Sequence, residues 1–258
     1  MLKGRGGNIG VSAGDDGVLL IDDQYAPLTA KIRAAVGQIS DKPIRFVLNT
    51  HWHGDHTGGN ENLGQAGALV VAHENVRARM SIEQFMDFFD RAVPASPGGA
   101  LPVVTFTDTV TFHLNGEEIR AFHVSSAHTD GDSMIHFPRA NVLHAGDVYF
   151  NGVYPFIDVG SGGSVDGLIA AVERALALAN DETKIIPGHG PLSGRKELVA
   201  YRDMLSAIRD GIAPMVAAGR SVEEIRAAEP TASFDERWGG GWISPDDFVS
   251  FVYDSLSK

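Results

Sequence analysis

Four side chains able to bind a metal stand within six residues of one another: His51, His53, Asp55 and His56, in the segment Thr50-His51-Trp52-His53-Gly54-Asp55-His56-Thr57-Gly58-Gly59. The apolar run Ile44 to Leu48 precedes them, so the segment leaves the end of a strand. In extended chain His51 and His53 point to the same side, because side chains alternate, and they can share one metal. Gly54 permits a sharp turn, beyond which Asp55 and His56 can address a second position nearby. Imidazole and carboxylate are the ligands that suit zinc where thiolate is lacking, and the chain has no Cys. With ten His spread over 258 residues, so dense a cluster is not what chance delivers.

Composition narrows the function further. There are 21 Lys+Arg against 33 Asp+Glu, a formal net charge of −12. That balance argues against a nucleic-acid partner, which needs a basic footprint. The 43% hydrophobic and 21% charged content is that of a folded globular protein. The absence of Cys excludes disulfides, thiolate zinc sites, iron–sulfur clusters and a Cys nucleophile. No apolar run approaches the ~18–20 residues of a membrane span. Met1-Leu2-Lys3 leads straight into Gly4, Gly6 and Gly7 with no leader-like apolar region. A leader removed ahead of residue 1 implies the periplasm, and otherwise the cytoplasm is expected. The expected partner is a small-molecule substrate, and both monomer and homodimer remain open.

The elements that must position the cluster can be read around it. Gly17-Val18-Leu19-Leu20-Ile21-Asp22 is an apolar run between turn formers, a buried strand. Pro27 opens a helix with Leu28, Ile32, Ala35, Val36 and Ile39 on one face. Ala68 to Ala72 is a strand, and a helix is expected over about Glu74 to Arg91, with Phe85, Met86, Phe88 and Phe89 mainly forming its core face. Ala92 to Pro102, rich in Pro and Gly, is a loop of the length that often borders a binding site. Short β pieces follow at Val103–Phe106, Val110–Leu114, Ile119–Val124, Met134–Phe137 and Val142–His144, with Asn115-Gly116 as a hairpin turn. Gly160 to Gly163 precedes an amphipathic helix from about Val165 to Ala179, and Lys184 to Pro187 is a last strand. From about Gly194 the chain is mostly helical, over about 194–218, 221–229 and 245–257, with 235–247 read as a solvated face. No repeat or linker interrupts it, so a single domain over 1–258 is expected. Strands with helices, then strands, then helices, fit helices flanking two sheets.

His51-x-His53-x-Asp55-His56 resembles the HxHxDH motif of the metallo-β-lactamase superfamily, and later motifs follow in that family's order. Ser126-Ala127-His128-Thr129 resembles its third-histidine loop, His144-Ala145-Gly146-Asp147 its bridging-carboxylate motif, and Pro187-Gly188-His189-Gly190 its final-histidine motif. The resemblance covers about residues 8 to 200. It implies an α/β fold, a four-layer αββα sandwich with the metal site at one edge of the two sheets. It also implies that His51, His53 and His128 hold a first metal, that Asp55, His56 and His189 hold a second, and that Asp147 bridges them. Asp55 is in addition the expected catalytic residue, orienting the attacking hydroxide and passing a proton to the leaving group. Zinc is the expected metal, two ions per chain, with iron and manganese as alternatives. The implied reaction is hydrolysis, a metal-bridged hydroxide attacking an activated carbonyl.

The subfamily signatures conflict. The flanks from His128 to His189 look like the lactamase branch, but that branch carries Cys at Asp147 and Lys at Phe150. Gly146-Asp147-Val148-Tyr149-Phe150 resembles thioesterases of the glyoxalase II type, without the cations those use for glutathione. Lactonases of the family expect Tyr three residues after the bridging Asp, and Tyr149 is one residue off. β-Lactam ring hydrolysis is the leading expectation, with thioester or lactone hydrolysis next and an iron-dependent persulfide dioxygenase after them. That last class uses only the first metal site, against which Asp55, His56 and His189 weigh. Of the other histidines, His73 is expected as a cap, His113, His123 and His136 as sheet residues, and His144 as a structural neighbour of Asp147. Trp52 is expected in packing, and Asp130 and Asp132 in a turn.

Overall fold

The structure, a computed structural model, describes residues 1–257. The antiparallel pair β1 (Gly10–Gly14) and β2 (Gly17–Ile21) begins a first sheet, and helix α1 (Thr29–Gly37) follows. β3 (Ile44–Leu48) then runs into the short helices α2 (Gly54–Thr57) and α3 (Asn60–Gln65). β4 (Leu69–His73), helix α4 (Glu74–Met80), a small hairpin of β5 (Gln84–Met86) and β6 (Arg91–Val93), and β7 (Val104–Phe106) come next. The second sheet is built from β8 (Thr109–Leu114), β9 (Glu117–His123), β10 (Ser133–Phe137), β11 (Val142–Phe150) and, after helix α5 (Val165–Leu178), β12 (Lys184–His189). Helices α6 (Arg195–Ala217), α7 (Val222–Arg226), α8 (Asp235–Trp238) and α9 (Pro245–Leu256) complete the chain. The sheet orders are β1-β2-β3-β4-β7 and β12-β11-β10-β9-β8.

β2 shows how the layers arise. All five of its residues are buried, and the two-residue period sends them to opposite faces. Leu19 and Ile21 join Leu48, Val71, Ile119, Ala121, Ile135 and Phe137 in the core between the sheets. Val18 and Leu20 turn the other way, onto Ile32 and Val36 of α1 and Leu63 of α3. On the far face of the second sheet, Met134, Leu143 and Ile185 meet Leu168 and Val172 of α5, Leu205 and Ile208 of α6, and Phe248 and Val252 of α9. Helix, sheet, sheet, helix is the four-layer αββα sandwich that the motifs imply. Among the described residues no helix is long and apolar enough to cross a membrane.

Three expectations need correction. The helix from Glu74 stops at Met80, not Arg91. Ser81 closes it, its hydroxyl and amide both bonding back to the Arg77 carbonyl, and the aromatics that mimic a helical stripe lie on or beside the β5–β6 hairpin. That hairpin turns at Asp90 in a left-handed conformation (φ 45°). Met86 is buried, whereas Phe85, Phe88 and Phe89 are exposed. The stretch 92–102 does not line the cleft described below; Met86, Phe89 and Arg91, just before it, do. The stretch 235–247 is a solvated face only in part: its acidic residues reach solvent, but Trp238 and Ile243 are buried and pack into the helical core. Smaller differences concern strand lengths: β11 runs on from His144 to Phe150, with a register shift at Gly146, whose φ of +53° favours glycine.

Candidate metal centre

The site lies where β2, β3 and β11 end on one edge of the sandwich and β12 delivers His189. After β3, the Asn49 amide donates to Val71 and the Ser133 amide of the opposite sheet donates to Thr50, so the strand exit is tied to both sheets. His51 and His53 then fall on one side, as alternation requires, while Trp52 turns into the helical core. α2 begins immediately, and its single turn carries Asp55 and His56. His128 arrives on the loop after β9, Asp147 from within β11 and His189 from the end of β12. The structure brings all seven predicted side chains into one cluster, with ligand atoms grouped as His51/His53/His128, His51/His56/Asp147 and Asp55/His56/His189.

The hydrogen-bond network assigns the ring protons. His128 Nδ1 lies 2.8 Å from the Phe156 carbonyl, which only an N–H can satisfy, so Nε2 carries the lone pair. His53 Nε2 lies 2.9 Å from Asp158 Oδ2 and His56 Nδ1 lies 2.7 Å from Asp22 Oδ2, leaving His53 Nδ1 and His56 Nε2 as the free nitrogens. Thr50 Oγ1 donates to Asp22 Oδ2 at 2.8 Å, so it accepts from His51 Nδ1 at 3.0 Å, and His51 Nε2 is also proton-free. These lone pairs converge: His53 Nδ1 is 3.1 Å from His51 Nε2 and 2.9 Å from His128 Nε2. Three buried lone pairs aimed at one point repel unless a cation lies between them.

Asp147 stands between the two triads. Its carboxylate oxygens lie 3.1 Å from His56 Nε2, 3.3 Å from His189 Nε2, 3.6 Å from His128 Nε2 and 3.8 Å from His51 Nε2. Asp55 Oδ2 is 3.3 Å from His189 Nε2 and 3.5 Å from His56 Nε2. His56 Nε2 and Asp147 Oδ1 are buried with no hydrogen-bond partner, and such orphaned atoms fit a metal better than an empty polar core. The field at the second triad favours a positive charge there, a proton or a metal ion. Burial alone would depress His56 and His189, but the carboxylates, Asp147 foremost, outweigh it; His56 is raised well above its ordinary value and His189 to about 9. Burial would likewise raise Asp147, and His56, His189 and His51 hold it well below the carboxylate range. In the first triad burial dominates and takes His128 down to about 4, keeping it neutral. Asp55 and His189 are partly exposed, so this side of the centre opens to the cleft.

Several residues that shape the centre were not anticipated. Asp22 accepts from the Thr50 amide, the Thr50 hydroxyl and His56. It takes a left-handed backbone (φ 62°) at the end of β2, a strained conformation held by those bonds. An Asp closing an apolar strand beside the histidine-bearing strand was the available signal. Asp158, on His53, lies in irregular chain and gives no local pattern. Asp132 does more than form a turn: it accepts from the His128 and Thr129 amides and so sets the third-histidine loop. Asp130 pairs with Arg79. His73 caps α4 through the Asn75 amide, His144 is buried against the Asn8 carbonyl, and His113, His123 and His136 lie on strands.

The sequence profile of the metallo-beta-lactamase superfamily matches residues 2–189, and the chain belongs to that superfamily, a class of metal-dependent hydrolases. The chain is 28% identical over 196 residues to a hydroxyacylglutathione hydrolase of Polaromonas sp., covering 74% of this chain and 65% of that protein. It is 24% identical over 246 residues to the 2,4-dinitroanisole O-demethylase subunit alpha of Nocardioides sp., covering 92% and 69%. It is also 24% identical over 196 residues to the metallo-beta-lactamase type 2 of Bacteroides fragilis, covering 72% of each. The fold matches the sec-alkyl sulfatase PisA1, as a double mutant, with a TM-score of 0.70 at 19% identity over 96% of this chain and 47% of that one. It matches TTHA1623 in a di-iron-bound form with a TM-score of 0.58 at 24% identity, over 75% and 92%.

Proposed function

We propose that this chain is a dinuclear metal hydrolase of activated carbonyl compounds. His51, His53 and His128 hold one ion, Asp55, His56 and His189 the other, and Asp147 touches both. The observation that carries the reading is the convergence of the His51, His53 and His128 nitrogens on one point, beside a second where Asp55, His56, Asp147 and His189 meet, with every ring but that of His189 held from behind by an acceptor. Metal ions there supply an acidified water and a Lewis acid for a carbonyl oxygen. The chain's own residues do the rest. Asp22, Thr50, Asp158 and the Phe156 carbonyl fix the tautomers and aim the rings. Asp55, partly exposed beside His189, is placed to take a proton and return it to the leaving atom. Zinc is the first choice for a set of imidazole and carboxylate ligands, and iron the second, given the di-iron form of TTHA1623. The helices beyond residue 194 share the core of the second sheet, which supports one functional unit.

Two substrate classes have support. β-Lactam hydrolysis draws on the flanks of His128 to His189 and the Bacteroides fragilis relative. Thioester hydrolysis draws on Gly146 to Phe150 and the Polaromonas relative. Phe150 is fully buried and stacks on His189 at 5.0 Å, so the lysine of the lactamase branch has no counterpart there. The test is turnover by zinc-reconstituted protein of a chromogenic cephalosporin, of a lactoylglutathione thioester and of a lactone, beside Asp147→Ala. A kcat/KM of roughly 10⁴ M⁻¹s⁻¹ or more for one of them, lost in the variant, supports the reading and chooses the class. Two bound metals with no turnover of lactam, thioester or lactone overturns it.

A further inference from the structure

The cleft over the metal centre has a volume of about 370 Å³ and chemically unequal walls. Part of its lining is aromatic. Phe89 and Trp242 stack with ring centroids 5.9 Å apart and 21° between planes. Phe156 meets them at 5.5 and 6.0 Å and stacks on His53 at 5.8 Å. Phe89 and Trp242 are 44% and 52% exposed although they line a concave surface. Apolar area of this kind, held in water beside a reacting centre, is stabilised by a flat ligand that covers it.

The same cleft also carries cations. Arg5, Arg91 and Tyr25 line it. Burial and Asp55 push the Tyr25 phenol up, and the charges of both arginines oppose the rise. Arg79, Arg120, Arg202 and Arg209 each have a carboxylate partner, while among the described residues no ion pair holds Arg5 or Arg91. Asp55 and Asp147, the carboxylates that line the cleft, are engaged by His56 and His189. Two uncommitted guanidiniums at one mouth, in a chain of net charge −12, make a local anion receptor, and the planar fork of Arg suits a carboxylate.

Both arginines are placed by backbone built for it. The segment Gly6-Gly7 lies flat on the ligand turn: a Cβ on Gly6 would come within 2.7 Å of the Asp55 carbonyl, and one on Gly7 would collide with the His56 ring. That close approach sets Arg5 at the cleft. Arg91 starts β6, two residues after Phe89, across the left-handed Asp90, so one hairpin presents an aromatic and a cation together.

We propose that the cleft recognises carboxylate-bearing substrates with a flat apolar body, Arg5 and Arg91 taking the carboxylate and Phe89 with Trp242 taking the body. That the bond between these ends is then hydrolysed rests on the proposed function; the two-ended recognition does not. The test is binding of 3-phenylpropionate and of its uncharged amide to the metal-loaded protein by calorimetry, with metal content measured in every variant. The acid should bind about tenfold more tightly than the amide. Arg5→Ala/Arg91→Ala should abolish that preference, and Trp242→Ala should weaken both ligands alike. Equal binding of acid and amide, or no binding of either, overturns the proposal. So does a preference that survives the double substitution, which would put the carboxylate on the metals. Because binding is read without turnover, a chain that hydrolyses nothing leaves this result standing, and a failed arginine test leaves the hydrolase reading untouched.

Discussion

Asp22→Asn is a nearly isosteric change that should disarm the centre without touching a proposed ligand. Asp22 Oδ1 accepts from the Thr50 amide at 2.8 Å, and Oδ2 accepts from the Thr50 hydroxyl at 2.8 Å and His56 Nδ1 at 2.7 Å. An asparagine has one acceptor oxygen and one donor nitrogen. If its oxygen faces the Thr50 amide, its NH₂ faces two groups that now donate. His56 must then move its proton to Nε2, the atom that should face the metal. The Thr50 hydroxyl, now accepting from the amide, is free to donate to His51 Nδ1 and shifts that ring in the same sense. If the amide turns the other way, two buried donors meet at Thr50, which costs about 1–3 kcal/mol of folding stability. Either choice does damage, but the first strikes metal affinity. Loss of a partner behind a ligand histidine typically weakens metal binding about 10- to 100-fold, or about 1.4–2.8 kcal/mol. The assay is competition with a chromophoric zinc chelator, beside thermal melts of both metal-free proteins. Two zincs held by Asp22→Asn within roughly threefold of the parent affinities, a difference under about 0.7 kcal/mol, would refute the tautomer argument.

Other outcomes follow from the same geometry. Asp158→Ala frees His53 Nε2 and should weaken the first metal about tenfold or more, read by the same competition. Gly7→Ala drives a Cβ into the His56 ring; overpacking of this kind costs about 1–3 kcal/mol, and a lower Tm should come with loss of the second metal before the first. Removing metal with a chelator should lower Tm and abolish turnover, with both restored by zinc, because a ligand bound only by the folded state stabilises it. A chelated protein whose Tm did not move would argue against metal in the folded core.

The ligand cluster was legible because its chemistry is local. His51, His53, Asp55 and His56 are neighbours in sequence, and the strand period already puts the first two on one side. His128, Asp147 and His189 were found only through the family's motifs, since nothing nearby marks them as ligands. The sheets were readable where an apolar run is bounded by turn formers, as in β2. The failures lie where two periods overlap. Phe85, Met86, Phe88 and Phe89 match a helical stripe, yet Ser81 ends the helix and the aromatics serve a hairpin. Trp238, Trp242 and Ile243 sit among glycines and charges, so local composition reads as solvent-facing while tertiary packing buries two of them. Asp22 and Asp158 act through partners 28 and 105 positions away, a relation that no window along the chain displays.

The β5–β6 hairpin separates two tasks along the chain. Phe89 and Arg91 stand on it and Trp242 comes from the far C-terminal stretch, while every proposed ligand comes from segments 51–56, 128, 147 and 189. A library confined to 84–93 and 239–243 can therefore vary what the enzyme accepts while leaving untouched the residues that do the chemistry.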